Sequence, residues 1–235
     1  MVETLIARAM KKGRNLAEPE AYELLKAYGL PVVEHAFTST EEGAVEAACS
    51  IGFPVAMKVV SLDIIHKSDA GGVFLDLRSP EQVRSAYHAL IKNVKGYKKD
   101  AVIEGALISK MAPPGIEVIL GMVRDIQFGP AIMFGLGGVF VEVYKDVSFR
   151  ILPIRERDAF EMIQEIKGFP LLKGIRGQGP RDIDSLVGCA LKLARLVQEN
   201  PEIQEIDLNP IRVYERGCDV LDARILLAPN IPEKG

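Results

Sequence analysis

The order of secondary-structure signals changes at Ala112-Pro113-Pro114-Gly115, and that change restricts the architectures open to this chain. Both prolines fix their φ angles, so the segment reads as a stiff turn and a lobe boundary. Before it, helices alternate with strands. Glu18-Pro19-Glu20 opens a helix with its acids at the positive end, Tyr22, Leu24, Leu25 and Tyr28 form the apolar stripe, and Gly29 stops it. A strand is predicted at 31–37, a helix from the capping box Ser39-Thr40-Glu41-Glu42 to Ile51, and a buried-type strand at 53–60. A strand at 72–77, a helix begun by Ser79-Pro80-Glu81-Gln82 and a strand at 102–111 complete this half. After the turn, strands cluster at 116–123, 131–134, 140–143 and 149–152, followed by helices at 156–166 and 182–198. A hairpin at 204–214 and 218–226 closes the pattern. Alternation followed by hairpins indicates an α+β arrangement of two lobes, not a doubly wound parallel sheet.

At 235 residues and 48% hydrophobic content the chain can bury a substantial core. A formal charge of −3, 6% aromatics and no tryptophan argue against a nucleic-acid partner. Cys49, Cys189 and Cys218 have no metal-like spacing, and an odd number cannot all pair, so they read as thiols in a reducing compartment. No signal-peptide pattern and no apolar run of membrane-spanning length is present, so the protein is expected to be cytoplasmic, with no membrane partner.

Several residues stand out chemically. Lys58 sits mid-strand among apolar residues, where an ammonium needs an anionic partner, either a phosphate or a structural carboxylate. The run Asp63 to Val73 puts His66, Lys67, Gly71 and Gly72 into one turn. His66 is either an exposed turn residue or a nucleophile for phosphoryl transfer, while Lys67 and the glycine N–H groups suit an anion. Glu117 follows the Pro-Pro-Gly turn. Gly135, Gly137 and Gly138 are closely spaced with Glu142 beyond, and Arg176 lies in a second glycine-rich loop. On the closing hairpin Asp207 and Asn209 share a strand face, and Asp222 on the returning strand can meet them. Two carboxylates and an amide oxygen suit Mg2+; the alternative is the polar face of an edge hairpin. Neither a Walker A motif nor a G-x-G-x-x-G fingerprint occurs.

Taken in order, Phe53-Pro54 with Lys58, the His66-to-Gly72 turn, Glu117 with Arg124-Asp125, Phe128-Gly129-Pro130 leading into Phe134 to Gly138, Gly174-Ile175-Arg176-Gly177, Glu205 to Pro210, and Asp222-Ala223-Arg224 resemble the ATP-grasp β subunit of ADP-forming acetyl-CoA synthetases. The resemblance implies an ATP-grasp fold, two α/β lobes with nucleotide bound between them. It divides the chain into an extension (1–17), an N-terminal lobe with a phosphohistidine turn (18–111), a C-terminal lobe with a Mg2+ site (112–228) and a tail (229–235). It also implies reversible formation of ATP from acyl-CoA, ADP and phosphate. By the same resemblance, His66 would carry the phosphoryl group and Glu142 would orient an incoming phosphohistidine. Lys58 and Lys67, with Gly71 and Gly72, would hold phosphate. Ser109, Lys110 and Met111 would line the adenine, and Glu117 would meet the ribose. Asn209 and Asp222 would bind Mg2+, with Asp207 nearby. The implied partner is a separate α subunit carrying CoA-binding and ligase domains, in an α2β2 complex. A self-contained ATP-grasp carboxylate–amine ligase and a non-catalytic nucleotide-sensing module are the alternative readings.

Overall fold

The computed structural model of the chain describes residues 2–138, 146–175, 177 and 179–228. The chain forms two compact units: Val33–Pro113, and a discontinuous one combining Met1–Val32 with Pro114–Gly235. It begins with two helices of the discontinuous unit, α1 (Val2–Lys11) and α2 (Glu18–Ala27). Pro19 lies in the first turn of α2, and the Glu20 carboxylate accepts the Ala17 N–H at 2.9 Å.

The unit Val33–Pro113 contains β1 (His35–Thr38), α3 (Glu41–Ile51), β2 (Val55–Val60), β3 (Val73–Leu77), α4 (Pro80–Tyr97) and β4 (Gly105–Lys110). The strands form an antiparallel sheet in the order β1-β4-β2-β3. Side-chain caps start both helices: Thr40 Oγ1 accepts from Gly43 N at 3.1 Å, and Ser79 Oγ from Gln82 N at 3.3 Å. The cap of α3 is therefore Thr40, one residue later than the predicted box placed it. Every residue of β2 is buried, as a central strand requires. Val55, Met57 and Val59 enter the core with Ala44 and Ala48 of α3 and Val83, Leu90 and Val94 of α4. Ala56, Lys58 and Val60 therefore point to the other face of the sheet.

The second part of the discontinuous unit contains β5 (Ile116–Asp125), β6 (Gly129–Leu136), β7 (Val147–Ile151), α5 (Glu156–Glu165), α6 (Phe169–Leu172), α7 (Ile183–Glu199), β8 (Ile203–Val213), β9 (Cys218–Val220) and β10 (Ala223–Leu227). Its antiparallel sheet runs β10-β8-β5-β6-β7, with β9 also on β8. The aligned row Ala223, Leu208, Leu120, Phe134 and Ser148 lies on the face that α5 covers; Ser148 Oγ donates to Met162 O at 2.6 Å. The next row, Arg224, Asp207, Gly121, Met133 and Phe149, therefore lies on the opposite face.

Three features differ from the sequence reading. Residues 18–32, assigned above to the N-terminal lobe, pack with the C-terminal half instead. Tyr22 Oη donates to Leu221 O at 2.6 Å, Lys192 Nζ to Gly29 O at 2.8 Å, and Val220 N to Pro31 O at 2.7 Å. The stretch 2–11, read as part of an extension, is helical, with Leu5, Ile6 and Ala9 buried; its small apolar face was masked by the surrounding charges. The returning strand 218–226 is broken into β9 and β10, and Asp222 sits at the break. The predicted strand at 140–143 lies outside the described residues. Among the described residues no helix is long and apolar enough to cross a membrane.

Candidate functional site

In the unit Val33–Pro113, Lys58 is 9% exposed on the face of β2 opposite the α3 and α4 core, with Leu107 and Val73 as its cross-strand neighbours. Ser109, also buried, shares that face: it pairs with Ala56 on one side and His35 on the other. Lys110 alternates outward, its Nζ 3.9 Å from Glu34. Met111 is half-buried, and its N–H donates to Pro54 O at 3.1 Å. That amide is engaged within the unit.

The turn between β2 and β3 holds His66 exposed and Lys67 half-buried. It is closed by its own backbone: Ala70 N donates to His66 O at 3.2 Å, Gly71 N to Ser68 O at 3.0 Å, and Gly72 N to Lys67 O at 2.8 Å. The Gly71 and Gly72 N–H groups, credited above with holding phosphate, are here donated to the Ser68 and Lys67 carbonyls. The glycines also shape the turn. Gly71 has φ +61°, and a Cβ on Gly72 would lie 2.6 Å from Val59 Cγ1. Asp63 anchors the turn's start by accepting from Val102 N at 2.7 Å and Lys98 Nζ at 3.2 Å. These bonds hold the Asp63 carboxyl below its usual range. The other two histidines are engaged structurally, His35 with Val33 O at 2.8 Å and His88 with Glu41 at 2.9 Å.

In the discontinuous unit, Asp207 and Asn209 project from the face of β8 opposite the one that α5 covers. Asn209 is exposed, Asp207 half-buried, and Leu208 between them fully buried. The break between β9 and β10 brings Asp222 alongside, since Asn209 N donates to Asp222 O at 3.3 Å. Burial raises the Asp207 pKa above the usual carboxylate range, and the neighbouring Asp222 and Glu205 charges add to the shift against the opposing effect of Arg224. Carboxylates crowded in this way suit a hard divalent cation, which would relieve their repulsion. Among the described residues no group of three or more His, Cys, Asp and Glu side chains is arranged to hold a metal. The candidate set is accordingly two carboxylates and an amide oxygen, as in the sequence reading.

Glu117 lies on the same sheet face at the start of β5. It forms an ion pair with Arg212 of β8, its cross-strand partner, and its carbonyl accepts from Gly137 N at 2.8 Å. The Gly137 amide is therefore engaged, while Gly135 is a regular β6 residue. Arg212 was not singled out from sequence. It reaches this face through a bulge: Val118 pairs with Ile211 but Leu120 pairs with Leu208, so β8 takes three steps where β5 takes two. A regular strand would have turned Arg212 away from Asn209 and Asp207. Arg124 binds Ile203 O at 3.1 Å and Val197 O at 3.3 Å, tying α7 to the sheet. Glu142 and Arg176 lie outside the described residues.

Comparisons with known proteins add to this geometry. The ATP-grasp domain family matches residues 8–227. The "Acetate--CoA ligase [ADP-forming] I subunit beta" of Pyrococcus furiosus is 51% identical over 223 residues, covering 95% of this chain and 96% of that one. The "Acetate--CoA ligase [ADP-forming] I" of Archaeoglobus fulgidus is 44% identical over 97% of this chain, which spans 33% of that longer protein. Among solved structures, the Ca. Korarchaeum cryptofilum dinucleotide forming acetyl-coenzyme A synthetase 1 in complex with coenzyme A and Ca-AMPCP superimposes with a TM-score of 0.95 at 48% identity, covering 97% of this chain and all of that one. A second structure of that enzyme, with Mg-AMPPCP and a phosphohistidine segment pointing towards the nucleotide binding site, gives a TM-score of 0.85 at 45% identity.

Proposed function

Because this chain belongs to the ATP-grasp family of ADP-forming acetate–CoA ligase β subunits, we propose that it is the nucleotide-binding subunit of an ADP-forming acyl-CoA synthetase, acetyl-CoA being the acyl donor its relatives indicate. The observation that carries this reading is the end-to-end match to a separate β subunit. The complex would convert acyl-CoA, ADP and phosphate into free acid, CoA and ATP, reversibly. This chain would perform the last transfer.

In that step the phosphoryl group is carried on an imidazole nitrogen of His66. The P–N bond breaks as a β-phosphate oxygen of ADP forms the new P–O bond, and the imidazole returns unphosphorylated. To be reloaded, a ring nitrogen with a free lone pair must attack the incoming phosphoryl group. Such transfers depend mainly on positioning and charge neutralisation. Lys58 and Lys67 would supply positive charge to the phosphates. Ser109, Lys110 and the side chain of Met111 would line the base, and Glu117 would accept hydrogen bonds from the ribose. Asn209 and Asp222, with Asp207 beside them, would hold Mg2+, which when bound neutralises phosphate charge. Glu142 would orient the incoming phosphohistidine. The partner is an α subunit carrying the CoA-binding and ligase domains, assembled as α2β2 in the cytoplasm.

The test is to co-express the chain with its α partner and measure ATP formation from acetyl-CoA, ADP and phosphate. Wild-type complex should turn over and carry acid-labile phosphate on this chain, and His66→Ala should lose both. Normal turnover by His66→Ala would sink the phosphohistidine role. A chain that binds no Mg-nucleotide would sink the nucleotide reading altogether.

A further inference from the structure

The ion pair between Glu117 and Arg212 is one link in a longer row. Arg212 pairs across β8 with Glu117 on β5 and with Asp219 on β9, so a carboxylate, a guanidinium and a second carboxylate stand side by side on one sheet face. The row is fixed at both ends. Asp219 accepts from Tyr214 Oη at 3.0 Å, and the Glu117 carbonyl accepts from Gly137 N at 2.8 Å. Gly137 is pressed against Glu117, since a Cβ there would lie 3.0 Å from Glu117 Cβ. The Arg212 side chain is 21% exposed and that of Glu117 37%, so the guanidinium is the more buried partner and the carboxylate the more accessible one.

We propose that Arg212 is a positioning residue for nucleotide binding: it fixes the direction of the Glu117 carboxylate so that this group can accept hydrogen bonds from both ribose hydroxyls. The proposal rests on the reading of Glu117 as the ribose contact. A glutamate has three rotatable bonds and, untethered, would lose that freedom on binding. A guanidinium in the sheet removes most of it beforehand and offsets the carboxylate charge without competing for the ligand as a second acceptor. Lysine, a point charge on a flexible stem, holds direction less well. The β8 bulge makes the arrangement possible, because it brings Arg212 onto the face of Glu117 while keeping Asp207 and Asn209 there too.

The test compares ADP with 2′,3′-dideoxy-ADP, which lacks both hydroxyls, by calorimetric titration of the full chain with Mg2+. Wild type should prefer ADP by about tenfold or more, as expected for hydrogen bonds to a charged acceptor. Glu117→Gln should lose most of that preference. Arg212→Gln should lose it as well while binding the dideoxy nucleotide as wild type does, and Arg212→Lys should recover part of it. Asp219→Asn, which leaves the Glu117–Arg212 pair in place, should show a smaller loss of the same kind and serves if Arg212→Gln fails to fold. Full preference in Arg212→Gln, or in Asp219→Asn where that is the variant available, alongside its loss in Glu117→Gln, would overturn the positioning role and leave the ribose contact standing. Full preference in Glu117→Gln would overturn the ribose contact and the proposal with it.

Discussion

His66 stands exposed in a turn whose backbone is otherwise committed to itself, so replacing its side chain removes little packing. His66→Ala should therefore melt within about 0.5 kcal/mol of wild type by thermal denaturation even as phosphoryl transfer disappears; a large loss of stability would mean that the imidazole supports the turn. Asp63 should give that turn an acid sensitivity. Its folded pKa is depressed, so its contribution is present above the ordinary Asp value of about 3.9 and is lost as pH falls through the lower folded value. Asp63→Asn should flatten the melting temperature between about pH 2 and 5; an unchanged slope would show that its bonds to Val102 and Lys98 contribute nothing. The cysteines carry a residue-scale lesson. They read from sequence as isolated thiols, yet Cys189 of α7 and Cys218 of β9 are buried with their sulfurs 3.5 Å apart, while Cys49 is exposed. A maleimide should label one site in the native protein and three after unfolding. Nothing in the spacing of 189 and 218 signals the contact, because a helix and a hairpin must first pack to create it.

Most elements were legible because their signals are local. The cap Ser79, the start of α3 to within one residue, the apolar stripe of α2 and the uniformly buried β2 each depend on neighbours a few positions away. The turn glycines are a further case: Gly71 and Gly72 read as conformationally special, but from sequence they were credited with binding an anion. Their N–H groups proved to be donated to Ser68 and Lys67, and Gly72 is required because Val59 occupies the space a side chain would need. Gly72→Ala should cost about 1–3 kcal/mol through that overlap, measurable by chemical denaturation; a neutral result would mean that the turn relaxes freely. The β8 bulge was not legible. Asn209-Pro210 hinted at irregularity, but an extra residue in one strand is defined only against its partner, here β5. Arg212 was missed for that reason.

At the scale of the whole molecule, the chain matches a separate β subunit from end to end and only a third of a longer ligase. Purified alone it should bind Mg-nucleotide but form no ATP from acetyl-CoA, and an added α partner should restore turnover. Activity without a partner would refute the division of labour, and light scattering of the complex would test the α2β2 stoichiometry. Asp222→Asn should weaken Mg2+-dependent nucleotide binding at least about tenfold in that complex, and unchanged Mg2+ dependence would remove it as a ligand. The discontinuous unit was the main surprise: α2 was expected with the residues that follow it and α1 as part of an extension, yet both belong with the far end of the chain. The Tyr22 hydroxyl on Leu221 O is one of the bonds involved, and Tyr22→Phe should lower stability by about 1 kcal/mol, whereas an unchanged midpoint would show that bond to be dispensable. By itself the sequence determined most of the elements, the exposed histidine, the buried lysine and the choice of ligand types, all of which follow from short-range periodicity, capping and residue chemistry. The tertiary structure alone decided that residues 18–32 belong with the C-terminal half, that the returning strand breaks at Asp222 and that Arg212 stands beside Glu117. Those outcomes depend on register and packing between segments up to about 200 residues apart, such as Tyr22 and Leu221, and pairing at that range leaves no periodic trace in the chain.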